Sequence, residues 1–366
     1  MEYYSGQELG PRPHLAVLFH DSIGNFAVVT PLLRGLHEKY PGCILDYYGG
    51  PRSQELEEAS PFIDSRVSLF GGEDGLRGVV DYVRRREEES GPYDLAINLE
   101  FHPLNALVMA VLNPRYAVGN AYEPDLRKEL PLAPTRQSAL ATATWTHPSF
   151  LDEFGDVVCS NFIGEIFCRL VGVETDYQRT EIPWAPPGSA SGELPDLLIA
   201  TGASRPAKLW PVEYWEALLY WCEGRGLSVG LLGDKPAEQV RYYHSASAEN
   251  FLLSRTALQD LRGRFTLPQV AGALREARAC VAIDNGIMHL AIGVGTPTVA
   301  IFGASSWRLW APQMPHLQLL LPDTPCPLCE QNNYRNPDCL RPGQDQVCMR
   351  SILPATVTRR LERLLG

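Results

Sequence analysis

Long apolar runs are missing from this chain. Its apolar runs, residues 15–19 for example, hold only a few residues, far short of the ~20 that carry a helix across a bilayer. No membrane-spanning helix is therefore expected. The first 13 residues are polar and bear glycine and proline. They do not combine a basic start, an apolar stretch and a small-residue cleavage site, so no secretory leader is expected and cytoplasmic residence is the default. Basic residues are in deficit, with a formal net charge of −11. That balance disfavours general nucleic-acid binding, which draws its affinity from cations displacing counterions. It leaves room for a local basic pocket around a phosphorylated ligand. No sequence repeat and no low-complexity tract is present.

The 366 residues exceed what one hydrophobic core usually organises, so two domains are expected. An apolar fraction of 45% against 20% charged is that of a folded globular protein. Residues 15–19 read as a strand, 20–25 as a polar loop with glycine, and 26–40 as a helix stopped by Pro41 and Gly42. Strands are expected again at 43–48 and 94–99, with a charged helix at 76–89 between them. Strands alternating with helices indicate βαβ units and a parallel sheet, and two or three such units fit before residue 150. Residues 181–196 are rich in Pro, Gly and Ser without periodicity and read as a linker.

Beyond the linker the alternation resumes: strand 197–200, loop 202–208, helix 211–224 with proline in its first turn, and strand 227–232. Helix 267–278, strand 280–283, short helix 287–293 and strand 298–302 follow. The expected division is a domain at 1–180, the linker, a second domain at 197–353, and a closing helix at 354–366. Both halves read as Rossmann-like α/β.

Asp284, Asn285 and Gly286 fall where a buried strand gives way to a helix. Open parallel sheets bind ligands beyond the carboxyl ends of their strands, and the first N–H groups of a helix favour an anion. His289, one turn in, can face the same crevice. Taken alone, Asp284 reads equally well as a helix cap and His289 as a hydrogen-bonded core histidine.

The surrounding motifs add to this. DNGIMHLA at 284–291 and GTPTVAIFG at 295–303 resemble the pattern D-[ST]-G-x-x-H-[LI]-A, then G-x-P-x-[VI]-x-[LI]-[FY]-G, of glycosyltransferase family 9, the ADP-heptose:lipopolysaccharide heptosyltransferases. Asn285 departs from the usual Ser or Thr. TGAS at 201–204 with KLWP at 208–211 is similar to the family's G-[AT]-[ST]…K-x-W-P segment. LLG at 231–233 and LRG at 261–263 match two further landmarks. Near the start, Ile23-Gly24-Asn25, then TPLL at 30–33 and Tyr40-Pro41, resemble the family's opening. The likeness spans most of the chain and is weakest between about Phe101 and Gln178.

The resemblance implies a GT-B fold, with a nucleotide-sugar donor on the C-terminal domain and the acceptor on the N-terminal one. It implies inverting, metal-independent glycosyl transfer with an oxocarbenium-like transition state. Such chemistry needs a base for the acceptor hydroxyl and cationic or N–H donors for the departing diphosphate. Lys208 fits the second role as a point charge beside a Gly/Ser loop, against the alternative of a solvated surface lysine. Thr201 and Ser204 would add hydroxyl or backbone contacts, and Asp284, Asn285, Gly286 and His289 would face the donor. Asp234 and Glu238 are equal candidates for the ribose, or else solvated acids at a helix start.

In the family an Asp follows the N-terminal glycine, Gly24 here, and deprotonates the acceptor. This chain has Asn25, whose amide cannot act as a base. Asp21 on the same loop is the first replacement, weighed evenly against a loop-capping role; His20, Glu100 and His102 are alternatives. The catalytic candidates are thus Asp21, Asn25 and Lys208. A second reading is a nucleotide-sugar-binding protein that has lost catalysis. A sugar epimerase is a weaker third. Partners expected are a nucleotide-sugar donor and a glycan, glycolipid or small-molecule acceptor. Peripheral contact with the inner face of a membrane gains little support from the acidic charge.

The nine cysteines divide in two. Cys43, Cys159, Cys168, Cys222 and Cys280 stand singly in mostly apolar settings and read as buried thiols. Cys326, Cys329, Cys339 and Cys348 have the spacing C-x2-C-x9-C-x8-C. A CxxC pair with two further cysteines suggests a thiolate metal site, zinc or iron–sulfur. Free or disulfide-paired cysteines that tie down the tail are the alternative.

Overall fold

A computed structural model of the protein describes residues 1–69, 75–188, 193–324, 326–341, 343 and 346–366. Of the expected linker, residues 189–192 lie outside the described residues. The chain divides into two compact units, Met1–Pro183 and Trp184–Gly366, each described here by itself.

Unit 1 holds the strands β1 (Glu2–Tyr3), β2 (His14–Leu18), β3 (Ile44–Gly49), β4 (Ser65–Ser68), β5 (Leu95–Asn98) and β6 (Tyr116–Val118). All pair in parallel, in the order β1-β6-β5-β2-β3-β4. Every residue of β2 and β5 is buried, as expected of strands covered on both faces by helices. Four strands, β2 to β5, are each followed by a helix (Ile23–Lys39, Gln54–Ala59, Gly75–Ser90 and Pro103–Leu112), more than the two or three units expected. The missed strands are short, and β4, with sequence SRVS, carries no period that would mark it.

The helix Ile23–Lys39 begins three residues before its apolar run, because Ser22 caps it by accepting from the Asn25 N–H at 3.2 Å. Gly24 and Asn25 therefore sit in the first turn, not in a loop. Pro31 inside this helix has no N–H for the Ala27 carbonyl. The Thr30 hydroxyl donates to that oxygen at 2.8 Å and fills the gap.

Unit 2 holds β7 (Leu197–Ala200), β8 (Val229–Leu231), β9 (Gln259–Asp260), β10 (Ala279–Ile283), β11 (Thr298–Ile301) and β12 (Leu317–Leu320). Their order is β12-β11-β10-β7-β8-β9, again all parallel. This is the doubly wound Rossmann order, and its direction reverses between β7 and β10. The last helix, Pro354–Leu365, packs on Val212–Glu223 through Val357 and Leu361, both wholly buried. Trp210 ties the loop after β7 to this tail by donating from Nε1 to the Ile352 carbonyl at 2.8 Å.

Candidate functional site

The reversal of strand order in unit 2 leaves a crevice-forming position at the carboxyl ends of β7 and β10. The loop 201–208 leaves β7 there, and Asp284 and Asn285 leave β10. Asn285 is the N-cap of the helix Gly286–Gly293: its Oδ1 accepts from the Met288 N–H at 3.0 Å. Its Nδ2 donates to the carbonyls of Gly202 (3.0 Å) and Ala200 (3.3 Å). A serine or threonine could cap the helix but could not reach across in this way. The amide thus stitches the two strand ends together, and its side chain is a structural brace. Gly286 opens the helix, in whose first turn backbone N–H groups lack helical partners.

Asp284 is 6% exposed and His289 5%. Lys208, at the end of a short 3₁₀ turn Pro206–Lys208, places Nζ 2.7 Å from Asp284 Oδ2. His289 Nε2 lies 3.7 Å from Oδ1, near enough for charge interaction but long for a hydrogen bond. Burial by itself would raise the Asp284 pKa; Lys208, and then His289, outweigh it and hold the carboxyl well below the ordinary carboxylate range. The edge of the Trp310 ring covers His289, with centroids 6.2 Å apart.

The sign for stability follows. A carboxyl with a folded pKa below its unfolded value of ~3.9 contributes fully above that value and loses the contribution as pH falls towards the folded pKa. Comparing wild type with Asp284→Asn by chemical denaturation should show a constant stability difference down to about pH 4 and a shrinking one below it. A difference that shrinks already between pH 7 and 5 would show that Asp284 is not held ionised.

Of the two contacts expected of Thr201, by hydroxyl or by backbone, the hydroxyl is already engaged. Its hydroxyl donates to Glu249 Oε1 at 2.7 Å, inside a buried network that also joins Gln239, Ser245 and Arg262 to Glu249. The side chain braces the loop, which leaves its backbone for a ligand. Ser204 is exposed on the same loop. Asp234 is exposed at the end of β8 and accepts from the Lys235 N–H at 2.7 Å. Glu238, one turn on, pairs with Arg241 at 3.0 Å. Both acids remain at the strand end where a ribose would be sought.

Arg205 was not marked by any motif. It is half-buried; burial lowers its pKa, and Asp284 is the largest influence opposing that shift. Its Nη groups donate to the carbonyls of Asn336 (3.0 Å) and Ala304 (2.6 Å). A second cation thus stands behind Lys208. A lone arginine between Ser204 and Pro206 gives no sequence signal of burial.

In unit 1 the strand order reverses between β2 and β5. Asp21 follows β2 there, and Glu100 and His102 follow β5. Asp21 Oδ1 accepts from the Arg52 N–H at 2.7 Å, and a side chain at Gly50 would collide with Asp21. The carboxylate therefore caps the turn after β3. His102 caps the helix Pro103–Leu112 by accepting from the Leu104 N–H at 3.2 Å. The Glu100 carboxylate accepts from the next residue's N–H at 2.9 Å. Asn25 lies in the first turn beside Gly24.

All four tail cysteines, Cys326, Cys329, Cys339 and Cys348, line one cavity of about 10 Å³, together with Ala207 and Ala304. No disulfide joins any of the nine cysteines. Burial pushes the Cys348 thiol up to about 11, and the other three thiols add to the shift. Among the described residues, however, no three His, Cys, Asp or Glu side chains are drawn together closely enough to hold an ion.

Residues 173–338 match the sequence model of glycosyltransferase family 9 (heptosyltransferase). Lipopolysaccharide heptosyltransferase 3 of Escherichia coli is 23% identical over 309 residues, covering 80% of this chain and 84% of that one. Among solved structures, a family 9 glycosyl transferase from Veillonella parvula aligns with a TM-score of 0.69 at 19% identity, covering 96% of this chain and 97% of that one. The iron-containing dodecameric glycosyltransferase TibC of enterotoxigenic Escherichia coli aligns with a TM-score of 0.58 at 14% identity, covering 98% and 77%. TibC has also been solved in complex with ADP-D-beta-D-heptose. Two Rossmann-like units with this strand order give the chain a GT-B architecture, and the family match and the heptosyltransferase relatives make it a glycosyltransferase. The family 9 match covers residues 173–338, and over most of its length the chain is similar to heptosyltransferases of that family.

Proposed function

We propose that this enzyme transfers a heptose or a related sugar, with inversion, from an ADP- or other nucleotide-diphosphate donor to an acceptor hydroxyl. The carrying observation is the buried Lys208–Asp284–His289 group at the strand-order reversal of unit 2. Lys208 supplies a fixed positive charge, and the first turn of Gly286–Gly293 supplies N–H groups, where a diphosphate would gather charge as it leaves. The relative named for lipopolysaccharide and the TibC complex with ADP-heptose support this class of acceptor and donor. A glycolipid, cell-surface glycan or smaller acceptor fits equally. No helix among the described residues is long and apolar enough to cross a membrane. Action in the cytoplasm, at or near the inner membrane face, is part of the proposal.

In the reaction a base takes the acceptor proton, and the acceptor oxygen bonds to the anomeric carbon. The bond from that carbon to the diphosphate breaks on the opposite face, and its electron pair stays with the diphosphate. Asp21 is assigned the base. One of its oxygens is occupied by the Arg52 N–H, and an ionised carboxylate keeps further acceptor capacity. Asp21→Asn should lower kcat by about 10²–10⁴-fold, with ADP affinity by calorimetry unchanged. Full turnover in that variant would remove Asp21 from the mechanism. Donor binding without turnover in the unmodified protein would favour the alternative raised by Asn25, a nucleotide-sugar-binding protein that has lost catalysis.

Cys326, Cys329, Cys339 and Cys348 suit a soft ion such as zinc or iron by donor type, but as the structure places them no three lie close enough together to hold one.

A further inference from the structure

Beyond the carboxyl ends of β2 and β5, where the strand order of unit 1 reverses, a row of aromatic rings comes to the surface. The Leu99 N–H donates to the Leu18 carbonyl at 3.0 Å, so the two strands end side by side. Phe19, the residue after β2, is buried and packs edge-to-face with Phe167, with centroids 5.0 Å apart. Phe167 meets Trp145 at 5.9 Å, and Trp145 meets Phe101 at 6.3 Å. Phe167 is wholly buried, Trp145 is half-buried and Phe101 is 59% exposed. The row therefore starts beside the loop of Asp21 and ends in solvent on the loop after β5. Among the described residues no other aromatic side chain is as exposed.

A single apolar ring on a protein surface needs no explanation, but this one is held still. Asn98, the last residue of β5, accepts from the Glu100 N–H at 3.0 Å and donates from Nδ2 to the Asn120 carbonyl at 2.7 Å. Glu100 in turn accepts from the Phe101 N–H at 2.9 Å. The Trp145 ring is fixed as well: its Nε1 donates to the Leu140 carbonyl at 2.8 Å, and the Trp145 carbonyl accepts from Asn161 Nδ2 at 2.9 Å. Folding thus fixes an apolar ring in water at the end of the sheet where ligands bind. The charged and titratable groups on the loops after β2, β3 and β5 are the Asp21 and Glu100 carboxylates, the Arg52 guanidinium and the His20 and His102 imidazoles. Arg52 Nη1 donates to the Asp21 carbonyl at 3.5 Å. Each carboxylate has one oxygen occupied by a backbone N–H and keeps capacity to accept from hydroxyls.

A pyranose ring suits this setting. Its C–H groups make an apolar face, and their slightly positive hydrogens meet the negative face of an aromatic ring as ring edges do. Its hydroxyls lie around the rim, where carboxylates can accept from them. A sugar bearing its own carboxylate or phosphate would meet two like charges against one guanidinium. We propose that Phe101, backed by Trp145, is a stacking platform for the acceptor: it takes an uncharged pyranose and sets one hydroxyl towards Asp21. Phe101 is then a specificity-determining residue that takes no part in the chemistry. The platform rests on the acceptor side of the function proposed above, and its test needs neither donor nor turnover.

Methyl glucoside, galactoside and mannoside are titrated into the full-length chain, each beside its uronic-acid counterpart. Magnetisation transfer from protein aromatic protons to sugar C–H protons is followed by NMR. At least one neutral glycoside should bind, with its strongest transfer to the C–H groups of one ring face, and its uronic counterpart should bind severalfold more weakly. Phe101→Ala should weaken the neutral sugar about three- to tenfold, the usual contribution of one aromatic contact. Phe101→Tyr should keep the affinity, whereas Phe101→Leu, apolar but without a π face, should lose it. Because Phe101 is exposed, these changes should leave the melting temperature nearly unchanged. Binding of no neutral glycoside, a uronide held as tightly as its neutral counterpart, or unchanged affinity in Phe101→Ala or Phe101→Leu overturns the platform. Glycoside binding that depends on Phe101, in a protein that neither binds ADP nor transfers sugar, would leave the platform standing and overturn the transfer reading instead.

Discussion

Lys208→Ala is expected to lower kcat/KM with the nucleotide-sugar donor by about 10²–10³-fold, the usual cost of removing one preorganised group that stabilises a leaving or developing anion. Two things set Lys208 apart from a surface lysine. Its side chain is only 12% exposed, and Asp284 fixes its Nζ at 2.7 Å. A donor diphosphate would therefore meet a charge already in place, so that little ordering is left to the moment of reaction. The substitution also strands the buried Asp284 carboxylate, which should destabilise unit 2. The double variant Lys208→Ala, Asp284→Asn removes that stranded charge. It should recover thermal stability without recovering turnover, which separates the chemical role from the structural one. Lys208→Arg should stay impaired, because a planar fork does not replace a compact ammonium at a fitted site. If Lys208→Ala kept kcat/KM within a factor of about three, the assigned role would be wrong.

Glu249→Ala is expected to give the largest loss of stability, about 3–5 kcal/mol, the range for breaking a buried charged pair by removing one partner. Glu249 is wholly buried. It accepts from the Thr201 hydroxyl at 2.7 Å, the Ser245 hydroxyl at 2.7 Å, Gln239 Nε2 at 2.8 Å and Arg262 Nη1 at 2.9 Å. Through these it joins the segments that follow β7, β8 and β9, which are the segments around the proposed nucleotide. For a unit of this size the melting temperature should fall by roughly 10 °C, and the KM for donor should rise as the loops loosen. Glu249→Gln keeps the shape and some of the acceptors, so its loss should be smaller, about 1–3 kcal/mol. A melting temperature unchanged in Glu249→Ala would show that the network adds nothing to stability.

Neither the Glu249 network nor Arg205 could be read from the sequence. Glu249 lies on an otherwise ordinary helix, Ala246–Arg255, and its partners come from three other segments. Period and propensity report one segment at a time, so a network assembled from four is invisible to them. The family motifs marked Lys208 and Asp284 individually; the 2.7 Å contact between them depends on β7 and β10 being neighbours in the sheet. Thr201, in the family-like segment TGAS, is expected to offer a ligand its hydroxyl or its backbone. The fold turned its hydroxyl inward to a buried carboxylate instead.

By itself the sequence determined the alternation of strands and helices, the parallel sheets, the two-part division and the family landmarks. These are properties of spacing, of turn residues and of local order along the chain. Tertiary structure alone decided which landmarks meet. It paired Lys208 with Asp284, made Asn285 a brace between two strand ends, and used Asp21 to cap a neighbouring turn. It also gathered four cysteines, spread over 23 positions from Cys326 to Cys348, around one cavity that Ala207 of the loop after β7 also lines. The physical reason is common to all of these. A side chain's chemistry is set by its type, but its partners are set by sheet order and by the packing that encloses it.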